Sequence, residues 1–401
     1  MDAPAARSKH FATLAVHVGS EPDPVSGAVV VPISLATTFA QPQLGQLMGR
    51  DDRNSHGCGF EYSRTGNPTR GAFERALAAV EHGAHGLAFA SGLSATAAIM
   101  HTLKTGDHVL CIDDVYGGTQ RLFRQIVAPG SGVDFGFLDM SMPEQVVAAL
   151  TANTKLVWIE SPTNPTLKVT DIRAVSEAIR SAGRPDIWIV VDNTFMSPYL
   201  QQPLDLGATI VLHSVTKYIG GHSDVVMGAV VCNDEAVWRR LKFLQNAVGS
   251  VPGPFDCYLA LRGLKTLHVR MDCAQRSAMA IAQYLEGHSR VEKVSYPGLA
   301  SHPQHEVAAR QASGFGAMVT FFVRGGLPET SAFLKALKLF TLAESLGAVE
   351  PLAECPSVMT HASVPADIRK ELGISDNLVR LSIGIEHVDD LVADLEQALT
   401  A

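Results

Sequence analysis

The chain has 401 residues, of which 46% are apolar and 18% charged, and its formal net charge is −8. This length allows two or three domains with sizeable buried cores, since a domain averages roughly 150 residues. The negative charge and the lack of a Lys/Arg run argue against nucleic acid as a partner, because phosphate binding needs clustered cations. No apolar run approaches the roughly 18 residues of a membrane span, and residues 1–11 lack the apolar core of a secretory signal.

The six cysteines are scattered along the chain without the CxxC spacing of a zinc site. We therefore expect reduced, mostly buried thiols in a cytoplasmic protein. His302 and His305 of "SHPQH" are expected in a turn because of Pro303, with no third ligand nearby. The sequence thus predicts no metal site.

The composition and the pattern of predicted elements change along the chain, and these changes predict three regions. Residues 1–62 form an arm rich in proline, glycine and polar residues, and its stretch 41–59, "QPQLGQLMGRDDRNSHGCG", is typical of an exposed loop. Residues 63–255 are predicted to form a large α/β domain, and residues 256–401 a smaller α+β domain.

The large region alternates between strands and helices. "NPTRGAFERALAAVEHG" predicts a helix with Pro68 in its first turn and with Phe73, Leu77 and Val80 on one face. The next strands are predicted at "HGLAFASG", "HVLCIDD", "KLVWIES", "DIWIVVDN" and "ATIVLHS", and the helices between them at "SATAAIMHTL", "GTQRLFRQIV" and "DIRAVSEAIRSAG". Such alternation indicates a doubly wound, mostly parallel sheet, in which ligands bind beyond the carboxyl ends of the strands.

The C-terminal region has a different pattern. Residues 254–288 predict one long helix, and "GAMVTFFV", "LKLFTLAES" and "NLVRLSIGIE" predict strands. The stretch "HVDDLVADLEQAL" predicts a closing amphipathic helix.

An aspartate and a lysine follow two successive apolar strands. Asp192 ends "IWIVV", where a carboxylate is costly without a partner. Lys217 follows "TIVLHS", between Thr216 and Tyr218 and ahead of a glycine pair. This is the pair that pyridoxal phosphate (PLP) needs: the lysine forms a Schiff base and the aspartate keeps the pyridine nitrogen protonated. Alternatively, Asp192 caps the following turn.

A third strand end offers an anion site. "AFASGLSAT" reads as a strand, a turn and a helix start, so the backbone N–H groups near Gly92 and Leu93 can bind a phosphate. Ser214 and Thr216 add hydroxyl donors. An ordinary strand–helix turn is the competing interpretation, and neither GxxxxGK nor GxGxxG is present.

Two further residues are candidates by position. Tyr116 lies in the loop "DDVYGGT" after a strand, where its ring can stack on a cofactor and its hydroxyl can move a proton, or where it merely packs the loop. Arg380 lies on the less apolar face of "NLVRLSIGIE", either as an exposed strand arginine or as a bidentate clamp for a carboxylate.

Eight motifs, in the same order throughout residues 9–400, together resemble the cystathionine family of PLP enzymes of Cys/Met metabolism. They are "FEYSRTGNPTR", "AFASGLSAT", "DDVYGGT", "ESPTNPT", "VVDNTF", "SVTKYIGGHSDVVMG", "TLAESLG" and "IRKELGISDNLVRLSIG". The resemblance implies a PLP-dependent transferase of fold type I.

The resemblance also implies which residues hold the cofactor. Lys217 would form the Schiff base and later shuttle protons, and Asp192 would hold the pyridine nitrogen. Tyr116 would stack on the ring and help in proton transfer. The phosphate would be held by Gly92, Leu93, Ser214 and Thr216.

Tyr62 and Arg64 would reach the phosphate of a neighbouring subunit. Each site would then be shared, which makes a dimer the minimum active unit and a homotetramer, a dimer of active dimers, the expected assembly.

The substrate, a small amino acid, would be bound by a second set of residues. Arg380, with Asn164 and Ser345, would bind its α-carboxylate, and Glu344 and Arg121 would shape the distal end of the pocket.

The implied reaction is α,γ-elimination of L-cystathionine to L-cysteine, 2-oxobutanoate and ammonia, since within the group the chain resembles the γ-lyases most. Hydrogen sulfide release from cysteine or homocysteine would be a side activity. Gly118 argues against a methionine γ-lyase, which typically has a cysteine there, and Glu344 suits the distal ammonium of cystathionine.

The alternatives on the same scaffold are a cystathionine γ-synthase, an O-acylhomoserine sulfhydrylase and a cystathionine β-lyase. A relative that binds but does not catalyse is disfavoured, because both Lys217 and Asp192 are present.

Overall fold

The computed structural model describes residues 9–401. Its α-helices are α1 (Phe11–His17), α2 (Pro68–Val80), α3 (Gly92–Met100), α4 (Gly117–Leu122), α5 (Ala128–Ser131), α6 (Pro143–Ala148), α7 (Ile172–Ser181), α8 (Ser197–Leu200), α9 (Glu235–Val248), α10 (Pro254–Lys265), α11 (Leu267–Glu286), α12 (His305–Gln311), α13 (Leu327–Ala336), α14 (Ala366–Glu371) and α15 (Val388–Thr400). A π-helical turn, Phe123–Val127, follows α4, and short 3-10 turns occupy Arg53–Ser55, Pro203–Leu206 and Pro356–Val358.

The strands are β1 (His85–Phe89), β2 (His108–Ile112), β3 (Asp134–Leu138), β4 (Thr154–Glu160), β5 (Trp188–Asp192), β6 (Ile210–Ser214), β7 (Gly228–Cys232), β8 (Val291–Ser295), β9 (Met318–Val323), β10 (Thr341–Leu342), β11 (Leu352–Glu354) and β12 (Leu378–Ser382). The described chain divides into two compact units, the first made of residues up to Leu103 with Thr209–His268, the second of Lys104–Ala208 with Val269–Ala401.

The first unit is built around β7, which pairs antiparallel with β1 on one side and with β6 on the other. Helix α2 begins where Asn67 accepts hydrogen bonds from the N–H groups of Thr69 and Arg70, with Pro68 in the first turn as predicted. The predicted apolar face of α2 is buried at Phe73, Leu77 and Val80.

The second unit contains four parallel strands, because β2 pairs with β3 and with β4, and β4 pairs with β5. Residues Leu156–Ile159 of β4 and Ile189–Val191 of β5 are buried, as expected of strands covered on both faces. The carboxyl ends of these strands share one edge, which places Glu160 opposite Asp192 in register.

The second unit also holds a smaller sheet, in the order β10-β11-β12-β9-β8. All neighbours in it pair antiparallel except β10 and β11. The predicted combination of a mostly parallel, doubly wound α/β part and a smaller α+β part is therefore confirmed.

Some elements differ from the predictions. The single helix predicted over 254–288 is two helices, because α10 ends at Lys265 and α11 begins at Leu267. The strand predicted in "LKLFTLAES" is reduced to the two residues of β10, and the strands β3, β7, β8 and β11 were not predicted.

The N-terminal arm and its loop are described from residue 9 onward, so residues 1–8 of the predicted arm lie outside the described residues. The stretch 41–59 is mostly exposed, as predicted, with a bridge between Met48 and Phe60. The domain boundaries 1–62, 63–255 and 256–401 stay a prediction. Between residues 9 and 401, no helix has the length and apolar character needed to cross a membrane.

Candidate active site

In the first unit, the start of helix α3 lies against the end of strand β6. Ser91 caps α3 by accepting the N–H of Ser94 at 3.0 Å. A Cβ at position 92 would lie 3.2 Å from Cβ of Ser214, so Gly92 permits this close approach. The structure thus brings the turn of Gly92 and Leu93 to Ser214, with first-turn N–H groups suited to an anion.

Lys217 lies in the turn that follows β6. Its N–H donates to the carbonyl of Ser214 at 3.2 Å, and its own carbonyl accepts the N–H of Gly221 at 2.8 Å. Thr216 donates its hydroxyl to the carbonyl of Met227 at 3.2 Å. The backbone N–H and carbonyl of Lys217 are therefore both hydrogen-bonded. The hydroxyl of Thr216 already donates its proton within the protein.

Tyr62 and Arg64 lie beside one another in the first unit. Nη1 of Arg64 donates to the backbone carbonyl and to Oδ1 of Asn246 on α9, at 2.8 and 2.9 Å. The guanidinium lies 5.5 Å from the ring centroid of Tyr62, which is 46% exposed. The pair is thus close together and accessible from solvent in the isolated chain.

In the second unit, two carboxylates lie at the ends of neighbouring strands. Asp192 ends β5 and Glu160 ends β4, and the two are register partners. Asp192 accepts the N–H of Thr194 at 3.0 Å, so the turn-capping contact considered from the sequence is present. That contact uses one oxygen, Oδ1, of the carboxylate.

Sequence reasoning missed Glu160, which is only 4% exposed. Its Oε2 accepts the N–H of Tyr116 and its Oε1 the N–H of Asn164, each at 3.0 Å. Burial and the neighbouring charge of Asp192 raise the pKa of Glu160 well above its ordinary value, against the lowering effect of these N–H groups. The signal was available, because "KLVWIES" also ends an apolar strand in a carboxylate.

Tyr116 precedes helix α4 and is 39% exposed. Burial raises the pKa of its phenol, and among the charges that act on it are those of Arg121, Glu344 and Arg380. The structure therefore groups these four predicted residues. The phenol stays protonated near neutral pH, which lets it donate a proton.

Gly118 lies against the ring of Tyr116. A Cβ at position 118 would lie 2.5 Å from Cε1 and 3.0 Å from Cζ of that ring. A side chain at residue 118 would therefore require the ring of Tyr116 to shift from this position.

Arg380 is 2% exposed, so the alternative of an exposed strand arginine is wrong. Nη1 donates to Oδ1 of Asn164 at 2.9 Å and lies 3.0 Å from Oε1 of Glu354, while Nη2 donates to the carbonyl of Ser345 at 2.8 Å. Nε is buried and has no hydrogen-bond partner. Ser345 thus contributes its backbone carbonyl, and the N–H of Nε is left for a ligand.

Three residues behind Arg380 were also missed. Glu354 accepts the hydroxyl of Thr360 at 2.8 Å, and that hydroxyl oxygen lies 3.0 Å from Nδ1 of His361. Burial and the positive charge of Arg380 lower the pKa of His361 to about 4. His361 is therefore neutral near pH 7 and adds no charge beside the arginine.

No group of three or more His, Cys, Asp or Glu side chains within residues 9–401 is arranged to hold a metal ion. His302 and His305 instead lie near the carbonyl oxygens of Leu167 and Pro297, at 3.0 and 2.9 Å.

Comparison with known proteins adds an independent observation. The model of the family described as "Cys/Met metabolism PLP-dependent enzyme" matches residues 12–400. The cystathionine gamma-lyase of Bos taurus is 57% identical over 396 residues, which cover 98% of this chain and 95% of that protein.

Two solved structures are also similar. One is a cystathionine gamma-lyase from Lactobacillus plantarum complexed with L-serine, with 43% identity, a TM-score of 0.91 and coverage of 98% of this chain and 99% of that one. The other is a cystathionine gamma synthase from Xanthomonas oryzae pv. oryzae in complex with aminoacrylate and cysteine, with 45% identity, a TM-score of 0.92 and coverage of 98% of both chains.

Proposed function

Because the chain belongs to the Cys/Met metabolism PLP-dependent enzyme family, we propose that it is a carbon–sulfur lyase that converts L-cystathionine and water to L-cysteine, 2-oxobutanoate and ammonia. The observation that carries this activity is the 57% identity with a cystathionine gamma-lyase over 98% of the chain. The buried, unpartnered Nε of Arg380 supports a substrate that carries a carboxylate.

The residues present fit PLP. The glycine cradle at Gly92, where a Cβ would crowd Ser214, leaves room and N–H donors for a phosphate. When bound, PLP supplies an electrophilic carbon and a pyridinium ring that takes up the electrons of the breaking Cα–H bond. We assign its binding to Lys217, Asp192, Tyr116, Gly92, Leu93 and Ser214. The N–H and the hydroxyl of Thr216 both donate to the carbonyl of Met227, so Thr216 binds the phosphate only if one of these contacts is exchanged.

Proton movement is assigned to two residues. Lys217, through its Nζ, takes the α proton of the substrate and then assists removal of a β proton. Tyr116 holds the proton that the leaving thiolate receives, which agrees with its raised pKa. Asp192 keeps a proton on the pyridine nitrogen.

Substrate orientation is assigned to Arg380. Its Nη1 and Nη2 are fixed by Asn164, Glu354 and the carbonyl of Ser345, so the edge that carries Nε faces the α-carboxylate. An ion pair with this edge fixes the position of the Cα atom. The exposed carboxylate of Glu344 is then available to the distal ammonium of cystathionine, with Arg121 close to Tyr116.

Three finer statements belong to the same proposal. The chain acts as a homotetramer in which Tyr62 and Arg64 bind the phosphate of the neighbouring subunit, supported by their exposed position. It works in the cytoplasm, where its six free cysteines stay reduced. Cysteine or homocysteine in the same site would release hydrogen sulfide.

A second candidate is γ-replacement on an activated homoserine, because a cystathionine gamma synthase is 45% identical over 98% of the chain. The two reactions share the same requirement for a bound carboxylate and a mobile proton. They differ in substrate, because elimination acts on L-cystathionine and replacement acts on an activated homoserine.

A product assay separates these functions. PLP-loaded protein is incubated with L-cystathionine, and we expect 2-oxobutanoate with cysteine. Pyruvate with homocysteine would instead establish β-elimination. Cystathionine formed from an activated homoserine ester and cysteine, without turnover of cystathionine itself, would establish γ-replacement. Lys217→Ala is the control, and normal turnover by it would contradict the assigned role of the lysine.

A further inference from the structure

We propose that Glu160 is a positioning residue, which uses its two carboxylate oxygens to hold Tyr116 and Asn164 at a fixed separation in the site. This inference rests on the proposed function, since it concerns how the proton donor and the substrate-carboxylate clamp are kept in register.

The geometry is that of one carboxylate shared between two chain segments. Tyr116 lies in the loop after β2, and Asn164 lies in the loop after β4. Both N–H groups reach Glu160 at 3.0 Å, one on each oxygen. Glu160 ends a strand with a buried interior, so its carboxylate is a rigid reference point for both loops.

Each anchored residue leads directly to a group that acts on the substrate. Asn164 is 3% exposed, and its Oδ1 accepts a hydrogen bond from Arg380 at 2.9 Å. Tyr116 carries the phenol on which the charges of Arg121 and Glu344 act. A shift of either anchored backbone would therefore move the clamp relative to the proton donor.

Only glutamate meets this requirement. Glutamine offers one oxygen and an NH2 group, and the NH2 group cannot accept an N–H. Aspartate keeps both oxygens but is shorter by one methylene, so it cannot reach both N–H groups without moving the strand end. Both substitutions leave at least one of the two N–H groups without its acceptor.

The alternative is a purely structural role, in which Glu160 stabilises the fold but does not affect the geometry of the active site. A double-mutant cycle distinguishes the two, because residues that act through one another give effects that do not multiply. Asn164→Ala removes the acceptor of Arg380 and keeps the backbone N–H that Glu160 binds, so it is the suitable partner.

The experiment measures kcat and KM for L-cystathionine with PLP-loaded wild type, E160Q, N164A and E160Q/N164A. We expect E160Q to lower kcat/KM at least tenfold, with KM raised and kcat lowered together. We expect N164A mainly to raise KM. The double variant should lose at least threefold less than the product of the two single losses.

Glu74→Gln is the matched control. Glu74 is also buried and accepts a backbone N–H, that of Ala88, but it lies in the first unit. We expect its kcat/KM to stay within twofold of wild type. An E160Q variant within twofold of wild type, or a double variant whose loss equals the product, would overturn the proposal.

A measurement on the wild type covers the case in which E160Q does not fold. Residue-resolved amide hydrogen exchange should show slow exchange at both Tyr116 and Asn164, although both lie in loops. Fast exchange at either amide would overturn the proposal whatever the variants do. Failure of the wild type to form 2-oxobutanoate would instead count against the proposed function.

Discussion

Arg380 has three contacts that the protein itself supplies, and its Nε–H is buried without an acceptor. Asn164, Glu354 and the carbonyl of Ser345 engage the two terminal nitrogens, and Nε stays buried without a partner. A buried donor without an acceptor costs about 1–3 kcal/mol. A bound carboxylate that accepts the hydrogen bond of Nε would remove this free-energy cost.

Arg380→Lys tests this assignment. The ammonium keeps the charge but cannot hold Asn164, Ser345 and a substrate carboxylate in one plane. We expect kcat/KM for L-cystathionine to fall by roughly 10- to 150-fold, mostly through KM, since hydrogen bonds to charged groups contribute about 1.5–3 kcal/mol. Steady-state kinetics measure it, with Arg310→Lys as the surface control. A fall in kcat/KM of less than threefold for Arg380→Lys would contradict the assignment of Arg380 to carboxylate binding.

At the residue scale, the sequence reveals some partners and hides others for a physical reason. Asp192 was found because a carboxylate ended an apolar strand, and Glu160 fits the same rule. Glu354 and His361 carry no such mark, because their role arises only from the fold, which places them behind Arg380. Local pattern predicts strand ends, whereas it does not predict which loop packs behind them.

At the element scale, local periodicity predicted the parallel core and missed strands that depend on distant partners. Strand β7, "GAVVC", follows β6 without an intervening helix and runs antiparallel between β6 and β1. A Cβ at its first residue, Gly228, would clash with the carbonyl of Ser91. The sequence around β7 therefore reflects a packing contact that no local pattern reveals.

The cap of helix α2 gives a prediction at this scale. Asn67 is 2% exposed, its Oδ1 accepts the N–H groups of Thr69 and Arg70, and its Nδ2 donates to the carbonyl of Ser34. We expect Asn67→Ala to lower the free energy of unfolding by about 1–2 kcal/mol, because a helix cap and a tertiary hydrogen bond are lost together.

Urea denaturation measures this change. Asn67→Ser keeps a cap oxygen and loses the donor to Ser34, so it should cost less. Equal losses for the two variants would show that the cap itself contributes nothing.

At the scale of the whole molecule, the proposed sharing of sites has a direct test. We expect the Lys217→Ala variant and the Arg64→Ala variant each to lose more than tenfold in activity. Equal amounts of the two variants are unfolded together and refolded as a mixture, and the activity of the mixture is measured. If Arg64 serves the neighbouring subunit, a mixed dimer has one intact site, and about a quarter of wild-type activity should return. A mixture no more active than its components would place Arg64 in its own subunit's site or in none.

Acid stability is a second property of the whole molecule. Burial opposes ionisation of Glu74, but the hydrogen bond from His56 and the charges of Lys242 and Arg70 outweigh it and lower its pKa from 4.5 to about 2. A lowered carboxyl pKa contributes stability that is complete above pH 4.5 and lost as the pH falls through 2. The contribution is about 3 kcal/mol.

We therefore expect the wild-type free energy of unfolding to fall between pH 4.5 and 2, and the Glu74→Gln variant to lack that part of the decline. Urea denaturation at a series of pH values measures it. Parallel curves for the two proteins would contradict the assignment.

The contact between Gly118 and the ring of Tyr116 has a consequence for how this enzyme can change. Any side chain at position 118 meets the ring 2.5 Å away before it meets a ligand. A single codon change there would tilt the proton donor instead of simply narrowing the pocket. A change of substrate by substitution at this position, natural or by directed evolution, would therefore first move the hydroxyl of Tyr116. Further substitutions around the pocket would then be needed to fit the new substrate.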